Sequence, residues 1–156
     1  MKILHTVEFY HPSMGGMQEV VKQLSERLVL FGHDVTVATS RLSDRSNRLI
    51  NGVKIAEFNI AGNIVRGLTG EIEKYKSFLL ESDFDIITNF AAQQWATDIS
   101  FSVLDRIKAK KVLVPTGFSG LYLKEYEDYF DQIKISMKKY DMNIFLSNNY
   151  RDINFA

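Results

Sequence analysis

The residues best placed for chemistry lie in the run Phe9-Tyr10-His11-Pro12-Ser13-Met14-Gly15-Gly16-Met17-Gln18-Glu19, which joins a short apolar stretch to an amphipathic one. Pro12 discourages continued strand pairing, and Gly15 and Gly16 let a ligand come close to the main chain. The helix expected to follow begins with unpaired N–H groups and about half a positive charge, which favours a phosphate or carboxylate there. The same glycines would serve equally for a tight connection, and the loop alone does not separate the two readings. His11 is the one histidine on this loop, placed as an acceptor ligand or general base. His5, inside a strand, reads as a satisfied core residue, and His33, in a turn, as structural.

Other catalytic devices are missing. There is no G-x-S-x-G elbow and no spacing of histidine, carboxylate and hydroxyl that implies a triad. Neither H-E-x-x-H nor any cysteine occurs, so no zinc or other metal site is expected, and disulfides and thiolate catalysis are excluded. The adjacent glycines do not make the G-x-G-x-x-G of a dinucleotide site, and no G-x-x-x-x-G-K-[ST] is present. Nineteen basic residues balance nineteen acidic ones, which disfavours nucleic acid as a partner. With 156 residues, 46% of them hydrophobic, the chain has a one-domain length and enough apolar material for a core. No apolar run reaches the length of a membrane span and the N-terminal run is too short for a signal peptide, so a cytoplasmic location is expected.

The elements that must position the loop follow from periodicity. Ile3 to Val7 reads as a buried strand, and Met17, Val20, Val21, Leu24, Leu28 and Phe31 recur at helical spacing. Gly32 caps that helix, Val35 to Thr39 is a second strand, and residues 40 to 51 form a polar loop with Arg41, Arg45 and Arg48. Those arginines read as solvated, or as contacts for an anionic acceptor or membrane phosphates. Asn51-Gly52 signals a turn before a third strand, Val53 to Phe58. A looser segment from Ala61 leads to a helix through Leu68, Ile72, Tyr75 and Leu79, then to a strand, Asp85 to Phe90. Trp95, Ile99, Val103 and Ile107 mark one helix with Asp98 on its polar face. Lys111 to Pro115 is a strand, Thr116 to Leu121 a second glycine-bearing loop, and Tyr122, Tyr126, Phe130, Ile133 and Met137 a long helix whose aromatic stripe is core. Asp141 to Leu146 is the last strand, and a helix begins after Asn148.

Strands and helices thus alternate throughout, the pattern of an α/β Rossmann-like open parallel sheet with helices on both faces. Ligands bind such sheets at the carboxyl ends of the strands, near the point where strand order reverses. That edge would gather Glu8, His11, Gly15, Gly16, Asn89, Gln93, Gln94, Thr116, Gly117, Phe118 and Ser147.

Several of these pieces, in this order and spacing, resemble the N-terminal half of a retaining GT-B glycosyltransferase of the family-four type. They are the first strand with its proline and Gly15-Gly16, the helix with Val21, Leu24 and Leu28, and Gly32-His33-Asp34-Val35-Thr36-Val37. Phe84-Asp85-Ile86-Ile87 and Tyr140-Asp141 through Phe145-Leu146-Ser147 complete the set. The resemblance implies that Gly15 and Gly16 turn main-chain N–H groups toward the donor diphosphate and stabilise the charge developing on it. It implies a glycan or lipid-linked acceptor held by Glu8, His11, Asn89, Gln93, Thr116, Gly117, Phe118 and Ser147, with peripheral membrane contact. Lys108, Lys110 and Lys111, and Lys134, Lys138 and Lys139, are the basic clusters available for that contact. The nucleotide-sugar donor would be held mainly by a second domain, bearing paired glutamates, beyond Ala156, so residues 1 to 156 alone would not transfer sugar. The donor is a substrate, and neither cofactor nor metal is implied; retaining members need no protein nucleophile, since the leaving phosphate takes the acceptor proton. Three departures stand out: Gln18 occupies a place that is often acidic, Thr116-Gly117-Phe118 replaces a frequent histidine, and the donor half is absent. The competing reading is a free-standing Rossmann-type domain that binds a nucleotide or anion without transferase activity.

Overall fold

A computed structural model describes residues 1–156. The first strand, β1 (Lys2–Thr6), leads through the glycine loop into α1 (Gly16–Leu30), which ends where Gly32 and His33 return their N–H groups to the carbonyls of Val29 and Leu28. β2 (Asp34–Ser40) follows, and then a correction to the expected loop: Leu49–Ile50 forms a short strand, β3, paired antiparallel with β4 (Val53–Phe58). Asn51 and Gly52 both have positive φ, 48° and 83°, as the tight hairpin turn requires.

The segment after β4 is also more ordered than its sequence suggests. Ile60–Asn63 (β5) and Gly67–Gly70 (β6) form a separate two-stranded antiparallel hairpin, so Leu68 lies in a strand and not on the next helix. A Cβ at Gly62 would fall 1.9 Å from the Gly67 carbonyl oxygen, and one at Gly70 the same distance from that of Asn59. Only glycine fits at either place, and a hairpin built this way shows no apolar alternation to read.

Helix α2 (Ile72–Glu81) buries Tyr75 and Leu79, and β7 (Ile86–Phe90) returns to the sheet. Helix α3 is shorter than expected, Trp95–Phe101, and gives way to a 3₁₀ turn at Leu104–Arg106. After β8 (Lys110–Val114), Tyr122 is exposed and outside any helix; α4 spans Glu127–Met137 behind a 3₁₀ turn at Lys124–Tyr126. The last strand, β9, shrinks to Met142–Asn143, and α5 (Arg151–Phe155) closes the chain.

The main sheet runs β3-β4-β2-β1-β7-β8-β9, parallel except at the β3 edge. From β1 the order travels one way through β2 and β4 and the other way through β7, β8 and β9, so the reversal lies between β1 and β7. Alternating strand residues feed opposite layers. Ile3, Val35, Val37 and Ile55 pack under α1 with Val21, whereas Leu4, Ala38 and Ile87 pack under α2, α3 and α4 with Tyr75, Trp95 and Ile133. Helices therefore cover both faces, as expected. Trp95 anchors the second layer, edge-on to Tyr75 at 5.0 Å with its ring N–H donated to Ser40 Oγ at 2.8 Å. No helix is long and apolar enough to cross a membrane.

Candidate functional site

The loop that leaves β1 at the reversal point is held from below by one side chain. Arg45 is buried, and its guanidinium donates to the carbonyls of His11 (2.8 Å), Tyr10 (3.0 Å) and Ser40 (2.9 Å) and to Glu57 Oε1 (2.6 Å). It is neither solvated nor free to meet an anion, which corrects both sequence readings of this arginine. Arg41 and Arg48 do stand at the surface, in loose pairs with Glu71 (3.8 Å) and Glu57 (3.5 Å).

Above that clamp, α1 opens with bare backbone. The first main-chain bond is Glu19 N–H to Gly15 O at 3.0 Å, and no side chain caps the helix. The N–H groups of Gly16, Met17 and Gln18 thus lack intrahelical acceptors. Gly15, Gly16 and Gln18 border a concavity of about 340 Å³ whose wall also includes His11, Ser13, Glu19 and Lys22. A Cβ on Gly15 would lie 2.5 Å from Gln18 Oε1, so the Gln18 amide folds across Gly15; a Cβ on Gly16 would meet nothing within 4 Å. Nothing inside the chain requires glycine at position 16, which leaves the open approach to its backbone as the distinguishing property of the site. Lys22 lies 3.1 Å from Glu26, and Glu19 accepts from Gln23 at 2.6 Å, so the wall carries mixed charge. His11 is exposed and also borders a second concavity with Asp44, Asn47 and Asn51.

The other expected site residues divide sharply. Glu8 follows β1, donates its N–H to Gln94 Oε1 at 2.7 Å, and accepts from Ser40 N–H and Thr39 Oγ1 on its carbonyl. Burial first, and then the charge of Asp98, raise its carboxyl pKa above the usual range. Gln93 bridges two loops: its N–H donates to Tyr129 Oη (2.7 Å), and its side-chain oxygen faces Ser119 Oγ and Gly120 N–H at 3.4 Å. Ser147 is exposed. Gly117 donates to Asp152 Oδ2 (3.1 Å) under the Tyr150 ring, with Thr116 half-buried beside it, so the second glycine loop is already covered by residues 150 to 152.

Asn89 and Phe118 do not belong to an acceptor surface. Asn89 is buried and donates to Thr6 Oγ1 (2.6 Å) and Ser100 Oγ (3.1 Å) while accepting from Tyr140 Oη (2.8 Å), which ties β1, β7, α3 and the approach to β9 into one knot. Phe118 is fully enclosed, packed edge-on against Phe130 and Phe155 at 5.2 and 5.1 Å.

Asp98, expected on a polar helix face, is buried as well. Its carboxylate accepts from Tyr129 Oη (2.8 Å) and the Ile64 N–H (3.0 Å), joining α3 to α4 and to the β5–β6 hairpin. Its spacing held the signal, since Trp95 and Asp98 are three apart and share one helix face. Burial pushes the Asp98 carboxyl up to about 6. Burial also pushes His5, hydrogen-bonded to Ser25 Oγ at 2.8 Å, down to about 4.

These two shifts act on stability in opposite directions over the same interval. For Asp98 the folded state holds its proton more tightly than the unfolded chain, so its contribution falls as pH rises from about 4 to 6. For His5 the folded state resists the proton, so its contribution falls as pH drops from about 6.5 to 4. Each is worth about 1–3 kcal/mol, and they offset one another. Urea melts from pH 4 to 6.5 should therefore show Asp98→Asn losing stability toward acid relative to the parent chain, and His5→Gln losing it toward neutrality. Parallel profiles for both variants would contradict this assignment.

No family model matches the sequence, and no curated protein does. Among solved structures, the fold is similar to that of sucrose-phosphate synthase from Thermosynechococcus elongatus, with a TM-score of 0.66 and 11% identity. The match covers 91% of this chain and 41% of that one, so the chain spans less than half of its structural neighbour. The likeness is one of fold, an open and mostly parallel sheet with helices on both faces.

Proposed function

We propose that this chain is the acceptor-side domain of a glycosyltransferase that moves a sugar from a nucleotide-sugar donor to a glycan or lipid-linked acceptor, with retention of configuration. The observation that carries the reading is Gly16. It opens the helix that follows β1, the strand at the reversal of order, and its N–H is one of the three without an intrahelical acceptor, with open space where a side chain would be. A donor diphosphate arriving there would find donors already aimed and a favourable helix dipole. Negative charge grows on that diphosphate as the sugar departs, so these dipoles stabilise the transition state more than the ground state.

In this scheme the leaving phosphate takes the acceptor hydroxyl proton, and no side chain of the domain acts as nucleophile. Glu8, His11, Gln93 and Ser147 are the edge groups left to orient the acceptor, with Thr116 and Gly117 behind them; Asn89 and Phe118 only hold the scaffold. The nucleotide and most of the sugar are assigned to a second domain encoded beyond Ala156, and the enzyme as a whole to the cytoplasmic side of a membrane it touches peripherally.

The test is direct. The product of the complete reading frame and residues 1–156 alone are each incubated with radiolabelled nucleotide sugars and a glycan and lipid extract. Transfer by the former and none by the latter is expected. Turnover by residues 1–156 alone would overturn the division of labour. Absence of transfer by both, with pyrophosphate still shifting the Gly16 amide resonance, would leave a Rossmann-type anion-binding domain.

A further inference from the structure

A concavity roomier than the one at the glycine loop lies elsewhere. It lies on the outer side of the second layer, where the tip of the β5–β6 hairpin, α3 and α4 meet, and it measures about 550 Å³. That is the size of sites that hold small organic ligands. Val65, Phe101 and Ile133 form its apolar floor. Ile64 and Ile135 stand on its lips, 49% and 54% exposed, and extend the apolar lining outward to the solvent.

The charge around this opening has one dominant sign. Glu125 and Asp128, both exposed, stand at the mouth where α4 begins, and Asp98 lies in the wall with one hydrogen bond on each carboxylate oxygen and a lone pair to spare on each. The single cation of the lining, Lys139, is paired with Asp105 at 2.5 Å. The two mouth carboxylates also suit the positive end of α4, which is a sufficient local reason for their presence there. An apolar floor beneath unpaired carboxylates nevertheless defines a ligand class.

We propose that this cavity binds a small amphipathic cation, an amine carried on an apolar or aromatic body, with the body on the Val65-Phe101-Ile133 floor and the ammonium among Glu125, Asp128 and Asp98. The inference does not depend on the sugar-transfer reading. It has a consequence for the sheet edge, however: Tyr129 Oη donates to Asp98 in the cavity wall and accepts the Gln93 N–H at 2.7 Å, so occupancy is reported to the loop after β7.

Titration of the 156-residue chain with phenethylamine, phenethyl alcohol and phenylacetate, followed by amide and methyl NMR, tests this. The amine should bind about tenfold more tightly than the alcohol, and the acid more weakly than either. Shifts should centre on Val65, Phe101 and Ile133 and extend to the Gln93 amide. Glu125→Gln combined with Asp128→Asn, at two exposed positions, should bring the amine to within about twofold of the alcohol. Ser136→Trp on the wall should abolish binding of both. Equal affinity for amine and alcohol, an amine preference that survives loss of the two carboxylates, shifts centred elsewhere, or no shifts at all would each overturn the proposal.

Discussion

Arg45→Ala is expected to cost about 3–5 kcal/mol of folding stability, the largest effect of any single charged residue in the chain. The arginine side chain is 1% exposed and its partner Glu57 6%, so removing the guanidinium leaves a buried carboxylate whose remaining cation is the largely solvated Arg48 at 3.5 Å. Three main-chain carbonyls, of Tyr10, His11 and Ser40, lose their donor in the same step. For a chain of this length the thermal midpoint should fall by about 10 °C or more. Arg48→Ala is the control: its side chain is 71% exposed, so the loss should stay below about 1 kcal/mol. Differential scanning calorimetry on the two variants decides the matter. Equal, small shifts would mean that the Tyr10–His11 loop does not rest on Arg45.

Gly16→Trp is expected to do the opposite, leaving the fold intact and removing function. A Cβ at this position meets nothing within 4 Å and the residue begins a helix, so the melting curve should stay within about 1 kcal/mol of the parent chain. The indole would fill the space over the free N–H groups of the first turn. If the donor diphosphate docks there, kcat/KM of the complete enzyme should fall by about 100-fold or more, the scale seen when dipoles aimed at a developing anion are lost. Gly15→Ala should be mild, because its methyl group meets only the mobile end of Gln18. Undiminished transfer by Gly16→Trp would place the phosphate elsewhere.

The sheet was legible because the apolar runs of β1, β2, β4, β7 and β8 are separated by segments of helical period, and burial on both faces makes that signal strong. What escaped was structure that depends on contacts distant in sequence. The β5–β6 hairpin is written in glycines, whose reason is a carbonyl oxygen across the hairpin. Arg45 lies in a polar loop, and nothing local says that a carboxylate on β4 and two carbonyls beyond β1 converge on it. Asn89 and Phe118 were placed at the edge by their nearness in sequence to strand ends. Side chains of a strand alternate, however, and Asn89 points into the helix layer, while Phe118 follows its own apolarity inward. Gly15 and Gly16 could be singled out because their surroundings are local, and the space above Gly16 is the one feature of the site that both the sequence pattern and the coordinates describe.

The place of β1 in the middle of the sheet has a consequence for how the chain is made. Although it precedes every other strand of the sheet in the chain, it is flanked on one side by β2 and on the other by β7, and the contact between Thr6 and Asn89 spans 83 residues. Through early synthesis its second edge therefore has no native neighbour, and the bond that fixes Glu8 to Gln94 cannot form until the chain has grown past both. The glycine loop thus acquires its final position late in vectorial folding, although it is synthesised well before β7.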